Sequence, residues 1–573
     1  MKMNNTMKIK NIFLAVGCTA VFTACADLDY KEYSIYEKQD IYTEFNRVDG
    51  VVTNVYGFLD TDMPSNGATC SGCDEADYSW ANGVAKTYVN GSWSATNTPS
   101  YLSNMYRGIR AANLYLEDEA LADFSELELD KDYEAYIKRF NRYQWEVRFL
   151  RAYFHFNLVR AYGDIPLVTK VLTDAEANSL TRTPADEVFK FIVDECDAIL
   201  EADLLPTDYT KLSNDASAMS SPEGGRVTKQ TVMALKARAL TYWASPLFSN
   251  GTDRWKEAAK ANKEVIDLCQ EIGVTLTPNY ADLWAVGADG GNWTKSEMIF
   301  MRRSGDSNTY EYTNFPIGLE NASGGNCPTQ SMVDAYEMQA TGLGISELGS
   351  GYLSADPYAG RDPRFYATVA YNGEEWPTSY ATPLQTYYGG VNGLPTAGAT
   401  TTGYYLKKWL DGTISITTLN PTANRRHTWI TFRLGEFLLN YAECMNEAYG
   451  AAGEGEGICA DLTATEAVNM IRQRAGMPDF PAGLGKDAFR AKYQNERMVE
   501  LAFEGHRFWD VRRWKIGAET QNGVKAMEIT LENGEPKYNV VSLGRKWDDK
   551  MYLFPIPQAE RLKNGNLTQN PGW

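Results

Sequence analysis

The sequence predicts a mostly α-helical protein whose helices frame one long irregular segment. Between Phe140 and Tyr162, apolar residues recur at alternating steps of three and four, which is the period of a helix with one buried face. Comparable stretches follow in series and are joined by short turns. From about Thr275 to Thr428 this periodicity fades, and Gly, Asn, Thr, Pro and aromatic residues dominate.

The ends of the helices are marked by capping residues. Gly163 ends the first helix, Pro184 occupies the first position of the next, and Thr463 with Glu466 has the pattern of a capping box. The predicted helices are Phe140–Tyr162, Thr183 through Ile199, Thr228–Ala244, Asp253–Leu268, Phe432–Tyr449 and Thr463–Ala475. Such a series indicates a helical-repeat array. The prolines of the closing segment predict a tail that lies extended across the body.

Length and charge narrow the classes of function. The chain has 573 residues, 44% of them hydrophobic, and can bury a sizeable core; its 14 Trp and 35 Tyr supply many flat amphipathic side chains. The formal net charge of -19 would repel a phosphate backbone, which argues against nucleic-acid binding. Neutral and cationic ligands remain compatible with this charge.

The N-terminus has the pattern of a bacterial lipoprotein signal. Basic residues precede an apolar stretch, Ile12 to Phe22, that is too short to span a bilayer, and small residues then lead to Cys25. We expect cleavage before Cys25 and attachment of lipid to its thiol. Cys18 is the rival site, but cleavage there would halve the apolar stretch. No later segment has the uninterrupted apolar length of a membrane-spanning helix.

The cysteines outside the signal are odd in number, so at least one is unpaired. Cys196, Cys269 and Cys444 fall at core positions of predicted helices, where a thiol acts as a small hydrophobe. Cys70 and Cys73 form a CxxC pair, which is read as a local disulfide or as two free thiols. A zinc site would need two more ligands, and no second CxxC or HxxxH occurs.

The segment Asn495 to Trp514 gathers four acids and four arginines among large apolar residues. If it is one helical run, Glu496, Glu500 and Glu504 lie on one face with Arg507 one turn further on. Such stacked carboxylates suggest a metal site or catalytic acids, but the arginines of the segment balance its acids and favour a structural ion-pair network. The residues assigned to this network are Glu496, Arg497, Glu500, Glu504, Arg507, Asp510 and Arg512.

Several motifs together resemble the SusD/RagB family of Bacteroidetes outer-membrane lipoproteins. They are FLRAYFHFNLVRAYGDIPLV at 149–168, VTKQTVMALKARALTYWASP at 227–246, FRLGEFLLNYAECMNEA with AVNMIRQRAG at 432–476, ERMVELAFEGHRFWDVRRW at 496–514 and the terminal QNPGW. The acidic residues that follow Cys25 also resemble a surface-export signal of such lipoproteins.

The resemblance implies a fold, a function and a partner. The fold is mostly α, with four tetratricopeptide-like helical hairpins as a scaffold and an irregular part that carries ligand-binding loops. Members of the family bind oligosaccharides at the cell surface and pass them, uncleaved, to a SusC-like TonB-dependent transporter. A RagB-like branch captures peptides instead, which is the alternative function. The expected location is the outer membrane, lipid-anchored and exposed at the cell surface.

The implied organisation has four parts. Residues 1–24 are the signal peptide, 25–45 a lipidated tether, 46–275 an N-terminal helical-repeat region, and 276–573 a C-terminal SusD/RagB region with a loop-rich insertion at 276–430.

The scaffold motifs do not mark a ligand site, so that site is predicted from the chemistry of sugars. A sugar ring has an apolar face and a rim of hydroxyls, so a binder needs an exposed aromatic ring beside polar groups. Loops supply this mixture around positions 77–93 and again in the irregular middle. The candidate ligand-binding residues are Trp80, Asn82, Trp93, Trp284, Trp293, Tyr310 and Tyr312.

No catalytic motif accompanies the three histidines, His155, His427 and His506. A GxSxG nucleophile elbow, a phosphate-binding GxxxxGK[ST] loop and an HExxH metal motif are all absent from the sequence. Among 74 acidic residues some pair always resembles a glycosidase dyad, so carboxylates alone predict nothing. We therefore predict a protein that is not an enzyme and has no metal or cofactor; a surface glycosidase is the third hypothesis.

Overall fold

The computed structural model describes residues 36–207, 225–251, 253–284, 297–380 and 382–573, and it is mostly α-helical. Cys25 and Trp293 lie outside the described residues. The helices are α1 Lys38–Tyr42, α2 Phe45–Tyr56, α3 Tyr101–Asp118, α4 Tyr133–Tyr162, α5 Asp174–Ala177, α6 Ala185–Ala202, α7 Lys229–Ala244, α8 Trp255–Glu271, α9 Thr309–Asn314, α10 Gln330–Ala335, α11 Pro363–Thr368, α12 Leu434–Tyr449, α13 Ala464–Arg474, α14 Lys486–Glu500, α15 Arg507–Arg513, α16 Gly517–Gln521 and α17 Gln558–Lys563.

The long helices pack against one another in chain order. Helix α3 contacts α4, α4 contacts α6, α6 contacts α7, and α7 contacts α8. Helix α8 then contacts α12, which also packs on α13 and α14. This serial packing agrees with the predicted helical scaffold; its division into four hairpins stays a prediction. Among the described residues, no helix combines the length and apolar character needed to span a bilayer.

The predicted helix ends are close to the observed ones. Thr463 caps α13, where its side chain accepts from the Glu466 N–H and the Glu466 carboxylate accepts from the Thr463 N–H. Thr228 caps α7 through the N–H of Thr231. Helix α4 begins at Tyr133, seven residues before the prediction, because its first turns are too polar to show the apolar period.

The strands form two-stranded antiparallel pairs. They are β1 Ala76–Tyr78 with β3 Asn326–Pro328, β2 Met298–Asp306 with β6 Arg426–Arg433, β4 Val369–Ala370 with β5 Tyr405–Leu406, and β7 Lys525–Glu532 with β8 Glu535–Ser542. The pair β2 and β6 brackets much of the segment that the sequence predicts as irregular. Its pairing was not foreseen, because the partners lie more than 100 residues apart.

The segment Asn495 to Trp514 is not one helical run. Helix α14 ends at Glu500, and a turn leads to α15, with Phe503 at φ 59° and Gly505 at φ 71° in the left-handed region. Glu504 therefore does not continue the helical face of Glu496 and Glu500. The prediction of one stacked row was wrong because this turn depends on tertiary contacts, including the Phe503 N–H that donates to Glu75 at 3.0 Å.

The largest hydrophobic core joins the two halves of the chain. It includes Tyr42, Phe154, Phe437 and Phe554, which are at most 5% exposed. The packed body therefore begins before the predicted boundary at residue 46 and continues across the one at residue 275. The tail lies on α4, where the Phe554 N–H donates to Ala161 at 2.8 Å. Short helix α17 interrupts that otherwise irregular tail.

Candidate functional site

Hydrogen bonds connect the segments that carry two exposed aromatic side chains, Trp80 and Tyr312. The indole N–H of Trp80 donates to the carbonyl of Ser323 at 2.6 Å, and the N–H of Ser323 donates to the carbonyl of Tyr312 at 2.9 Å. Trp80 and Tyr312 are each 37% exposed. The loop that follows β1 is thus attached to α9 and to the loop that follows it. Trp80 in the first loop and Tyr312 in α9 each present a ring to solvent.

A glycine supports the ring of Trp80. Gly398 has φ +78°, and a Cβ at this position would lie 2.3 Å from Cζ2 of Trp80, so the indole rests directly on bare backbone. A side chain at Gly398 would displace the ring. This contact and the Ser323 hydrogen bond fix the orientation of the indole while part of it stays exposed.

The loop that contains Gly398 adds a further ring. Tyr388 is 63% exposed, and its N–H donates to Ile529 of β7 at 2.8 Å. The Asn392 amide donates to Ile317 at 2.6 Å, which ties the loop to the segment after α9. We call the exposed side chains of these three segments, which are the loop after β1, helix α9 and the loop that contains Gly398, the Trp80 surface. They are Trp80, Asn82, Tyr312, Tyr388, Val391 and Leu394.

The structure corrects two of the predicted ligand residues. Trp93 is 4% exposed and packs edge-on against Tyr88, Phe554 and Trp573. Trp284 is 6% exposed, and its ring contacts Tyr280 and Trp409. Both rings therefore fill core, and neither has a free face for a ligand. Sequence alone could not separate them from Trp80, because exposure of a loop ring depends on distant residues.

Of the remaining predicted ligand residues, some are exposed and others are not. Tyr312 and Asn82 are exposed, whereas Tyr310, two positions from Tyr312, is half-buried and packs edge-on against His427. Trp293 lies outside the described residues. Tyr388 was missed; its one sequence signal is the glycine-rich stretch GGVNG that follows it and allows a loop to fold back closely.

The acids of the Asn495–Trp514 segment are buried ion-pair partners, but most of their cations come from elsewhere in the chain. Glu500 is 0% exposed and accepts from Arg364 and Arg433, each at 2.9 Å, and also from Arg474. Burial alone would raise the pKa of Glu500, but these three guanidiniums hold it well below its ordinary value.

The neighbouring carboxylates are bound in the same way. The contacts are Glu496 with Arg364 and Arg472, and Glu504 with Lys408 and Arg433, all between 2.6 and 2.9 Å. We call this set, together with Glu500, Arg474 and Glu297, the Glu500 cluster. Because every acid of the segment is saturated by cations, none of them is placed to donate a proton to a ligand.

The arginines of the segment use other partners. Arg497 donates to Asp510 at 2.8 Å, Arg513 to Asp510 at 2.7 Å, and Arg507 to Asp74 at 2.7 and 3.0 Å. Arg512 has no carboxylate partner within the described part of the chain. Its guanidinium lies 3.5 Å from the ring centroid of Phe508, and burial lowers its pKa to about 9. Its assignment to the ion-pair network is corrected accordingly.

Buried contacts indicate structural roles for His155, Cys70 and Cys73. His155 donates through Nδ1 to Arg151 at 2.8 Å and accepts the Val168 N–H at Nε2, and burial lowers its pKa to about 4. Cys70 and Cys73 are buried free thiols, and burial raises the pKa of each. The sequence left a local disulfide and two free thiols open for the CxxC pair, and the structure has two free thiols. No cluster of potential metal ligands occurs among the described residues.

A polar cavity of about 270 Å³ lies beside the Glu500 cluster, and Asp60, Asp62 and His506 line part of it. Burial raises the pKa of Asp62 to about 7. Burial also raises the pKa of nearby Glu75, whose carboxylate accepts the Phe503 N–H, to about 8. These two carboxyls are therefore easier to protonate in the folded chain than in the unfolded chain.

We expect Asp62 and Glu75 to lower the free energy of unfolding as pH rises from 5 to 8, with a net fall above about pH 6.5, because His155 and His506, whose pKa values burial lowers, oppose it below that pH. Asp62 and Glu75 bind protons more tightly in the folded state, so their contribution is complete below pH 4 and is lost as pH rises through about 7 and 8. Each group can contribute up to about 1.4 kcal/mol per pH unit. Urea unfolding at pH 5, 6, 7 and 8 measures this slope. Glu75→Gln should flatten it, and an equal slope in the variant would contradict the assignment.

Two family models match the chain. The model of the SusD family matches residues 296–573, and a model described as starch-binding associating with outer membrane matches residues 28–221. Among characterised proteins, the chain is similar to SusD-like protein P2 of Formosa agariphila, with 26% identity over 450 residues that cover 74% of this chain and 73% of the relative.

Solved structures have the same fold. A SusD-like protein from Bacteroides fragilis has a TM-score of 0.73 and 26% identity, with 93% of this chain and 98% of that chain covered. A SusD-like carbohydrate binding protein from Bacteroides fragilis has a TM-score of 0.72 and 23% identity, with 92% of this chain and 100% of that chain covered. The similarity covers more than nine tenths of the chain and confirms the predicted fold class.

Proposed function

Because the chain belongs to the SusD family, we propose that it captures oligosaccharides at the cell surface without cleaving them and delivers them to a SusC-like TonB-dependent transporter of the outer membrane. The observation that carries this proposal is the Trp80 surface. It offers exposed aromatic rings, of which Gly398 and Ser323 hold that of Trp80 in place, beside the exposed amide of Asn82, which suits the apolar face and hydroxyl rim of a sugar. One structural neighbour is itself titled a carbohydrate binding protein.

The ion-paired state of Glu496, Glu500 and Glu504 supports a binding role over a hydrolytic one for these residues. A glycosidase needs one protonated and one ionised carboxyl on opposite sides of the sugar bond. The acids that first suggested such chemistry, Glu496, Glu500 and Glu504, are buried and ion-paired. The amide of Asn82 and the hydroxyls of Tyr312 and Tyr388 can bind sugar hydroxyls, and none of the six residues of the Trp80 surface is an acid.

Binding to soluble polysaccharides tests the proposal. Purified folded protein is screened by affinity electrophoresis against starch, laminarin, xylan, pectin and mannan, and hits are measured by calorimetry. We expect saturable binding to at least one of them and no new reducing ends after prolonged incubation. Failure to bind any of these, with co-purified peptides seen by mass spectrometry, would favour the RagB-like alternative. Released sugar would favour the surface glycosidase.

The proposed location rests on lipid attachment at Cys25. We expect Cys25→Ala to move the protein from the membrane fraction to the soluble fraction, because two or more acyl chains are needed for stable anchoring. Cys18→Ala is the matched control and should leave the protein in the membrane fraction. The opposite result, with loss on Cys18→Ala alone, would move the attachment site to Cys18.

A further inference from the structure

An apolar groove runs between helix α3 and the tail, and it shares no residue with the Trp80 surface. Its volume is about 410 Å³, within the usual range for sites that bind small molecules. Half-buried Leu172, Leu180 and Leu567 line it, above a floor that includes the buried side chains of Val168 and Ile556. We call it the α3 groove.

The groove is basic, although the whole chain is strongly acidic. Five basic and two acidic side chains line it, whereas the formal charge of the chain is -19. Arg107 and Arg110 stand one helical turn apart on α3. The Arg110 guanidinium donates to the Leu172 carbonyl at 3.3 Å, and that of Arg107 lies 5.6 Å from the ring centroid of Phe58.

Neither arginine is neutralised in the described part of the chain. Arg107 and Arg110 form no ion pair there with a carboxylate, whereas the lining residues Lys170 and Lys563 do, with Glu176 and Glu560. Arg182, also in the lining, donates only to neutral acceptors. Positive charge that has no carboxylate partner in the described part of the chain therefore lies, exposed to solvent, beside apolar side chains.

We propose that the α3 groove binds a fatty acid, a single alkyl chain that ends in a carboxylate. The carboxylate would pair with Arg107 and Arg110, since two guanidiniums one turn apart can share one anion. The alkyl chain would lie on Leu172, Leu180 and Leu567, where each methylene is removed from water. An uncharged glycan has no use for this charge.

Titration with dodecanoate below its micelle concentration, followed by calorimetry of the folded protein, tests this assignment. We expect saturable 1:1 binding. Shortening the ligand by two methylenes, to decanoate, should weaken binding by about tenfold. The double variant Arg107→Gln with Arg110→Gln should weaken dodecanoate binding by at least tenfold and leave its response to an uncharged dodecyl alcohol unchanged. Lys190→Gln, which alters an exposed cation on α6, is the matched control.

A second variant keeps the proposal testable if the double arginine variant fails to fold. Leu172→Asp places a carboxylate on the apolar wall and should abolish binding, with circular dichroism as the check on folding. Equal binding of dodecyltrimethylammonium, no dependence on chain length, or unchanged affinity in both variants would overturn the proposal. Displacement of dodecanoate by a Leu- and Asp-rich peptide of higher affinity would also overturn it, and would identify the groove as a docking site for an acidic protein segment.

Discussion

Glu500→Ala is expected to lower the free energy of unfolding by about 3 to 5 kcal/mol, the cost of breaking a buried charge pair. Removing this carboxylate leaves Arg364, Arg433 and Arg474 each with one carboxylate partner fewer, so the buried cluster carries one uncompensated positive charge. Those guanidiniums cannot reach water without opening the core. Urea unfolding at neutral pH measures the loss.

Two control variants separate the effect of burying a charge pair from the effect of removing a charge. Asp194→Ala removes one partner of the exposed pair Lys190–Asp194, whose side chains are 66% and 58% exposed, and should change stability by roughly 0 to 1 kcal/mol. Arg507→Ala, which strands the buried carboxylate of Asp74, should fall near the Glu500 variant. A Glu500→Ala protein with an unchanged melting temperature but no glycan binding would contradict the structural role.

Trp80→Ala is expected to weaken glycan binding by at least tenfold, because it removes the ring that Gly398 and Ser323 hold in place. Truncation of a central aromatic anchor typically costs about 2 kcal/mol or more, which is roughly 30-fold in affinity. Calorimetry with the polysaccharide identified in the screen gives the measurement. Circular dichroism and urea unfolding check that the variant stays folded, since the ring is only 37% exposed and its buried part packs on Gly398.

Two further variants sharpen the test. Gly398→Val keeps the indole but displaces it, since a Cβ would lie 2.3 Å from the ring, and should also weaken binding. Tyr36→Ala removes an exposed ring that is not part of the Trp80 surface and should have no effect. Full affinity in folded Trp80→Ala and Gly398→Val would show that the glycan binds elsewhere.

The helical scaffold could be predicted from sequence because its signals are local. The apolar period of α4 and the capping residues Thr228 and Thr463 act within a few residues of their own position. The strand pair β2 and β6 could not be predicted in the same way, because neither strand shows a partner nearby. The partners of Glu500 also lie 26, 67 and 136 residues away along the chain.

The candidate site was only partly predictable for the same reason. Trp80 and Trp93 occupy similar loops, but Trp80 rests on Gly398, some 300 residues later, whereas Trp93 packs under the last residue of the chain, Trp573. Composition identifies both as candidates. Which of them keeps a free face is decided by contacts that no local pattern records.

The Glu500 cluster has a consequence for how this protein can diversify. Arg364 and Lys408 belong to the loop-rich half, and both are joined by buried charge to the turn and helix around Glu500. Arg364 and Lys408 therefore attach the loop-rich half to the helical scaffold. Exposed loop side chains, such as Tyr388 and Leu394, contribute little to the stability of that scaffold. On the proposed function, exchange of these exposed loop residues would change the ligand and leave the helical scaffold intact, so one scaffold could serve different polymers through substitutions in the loops alone.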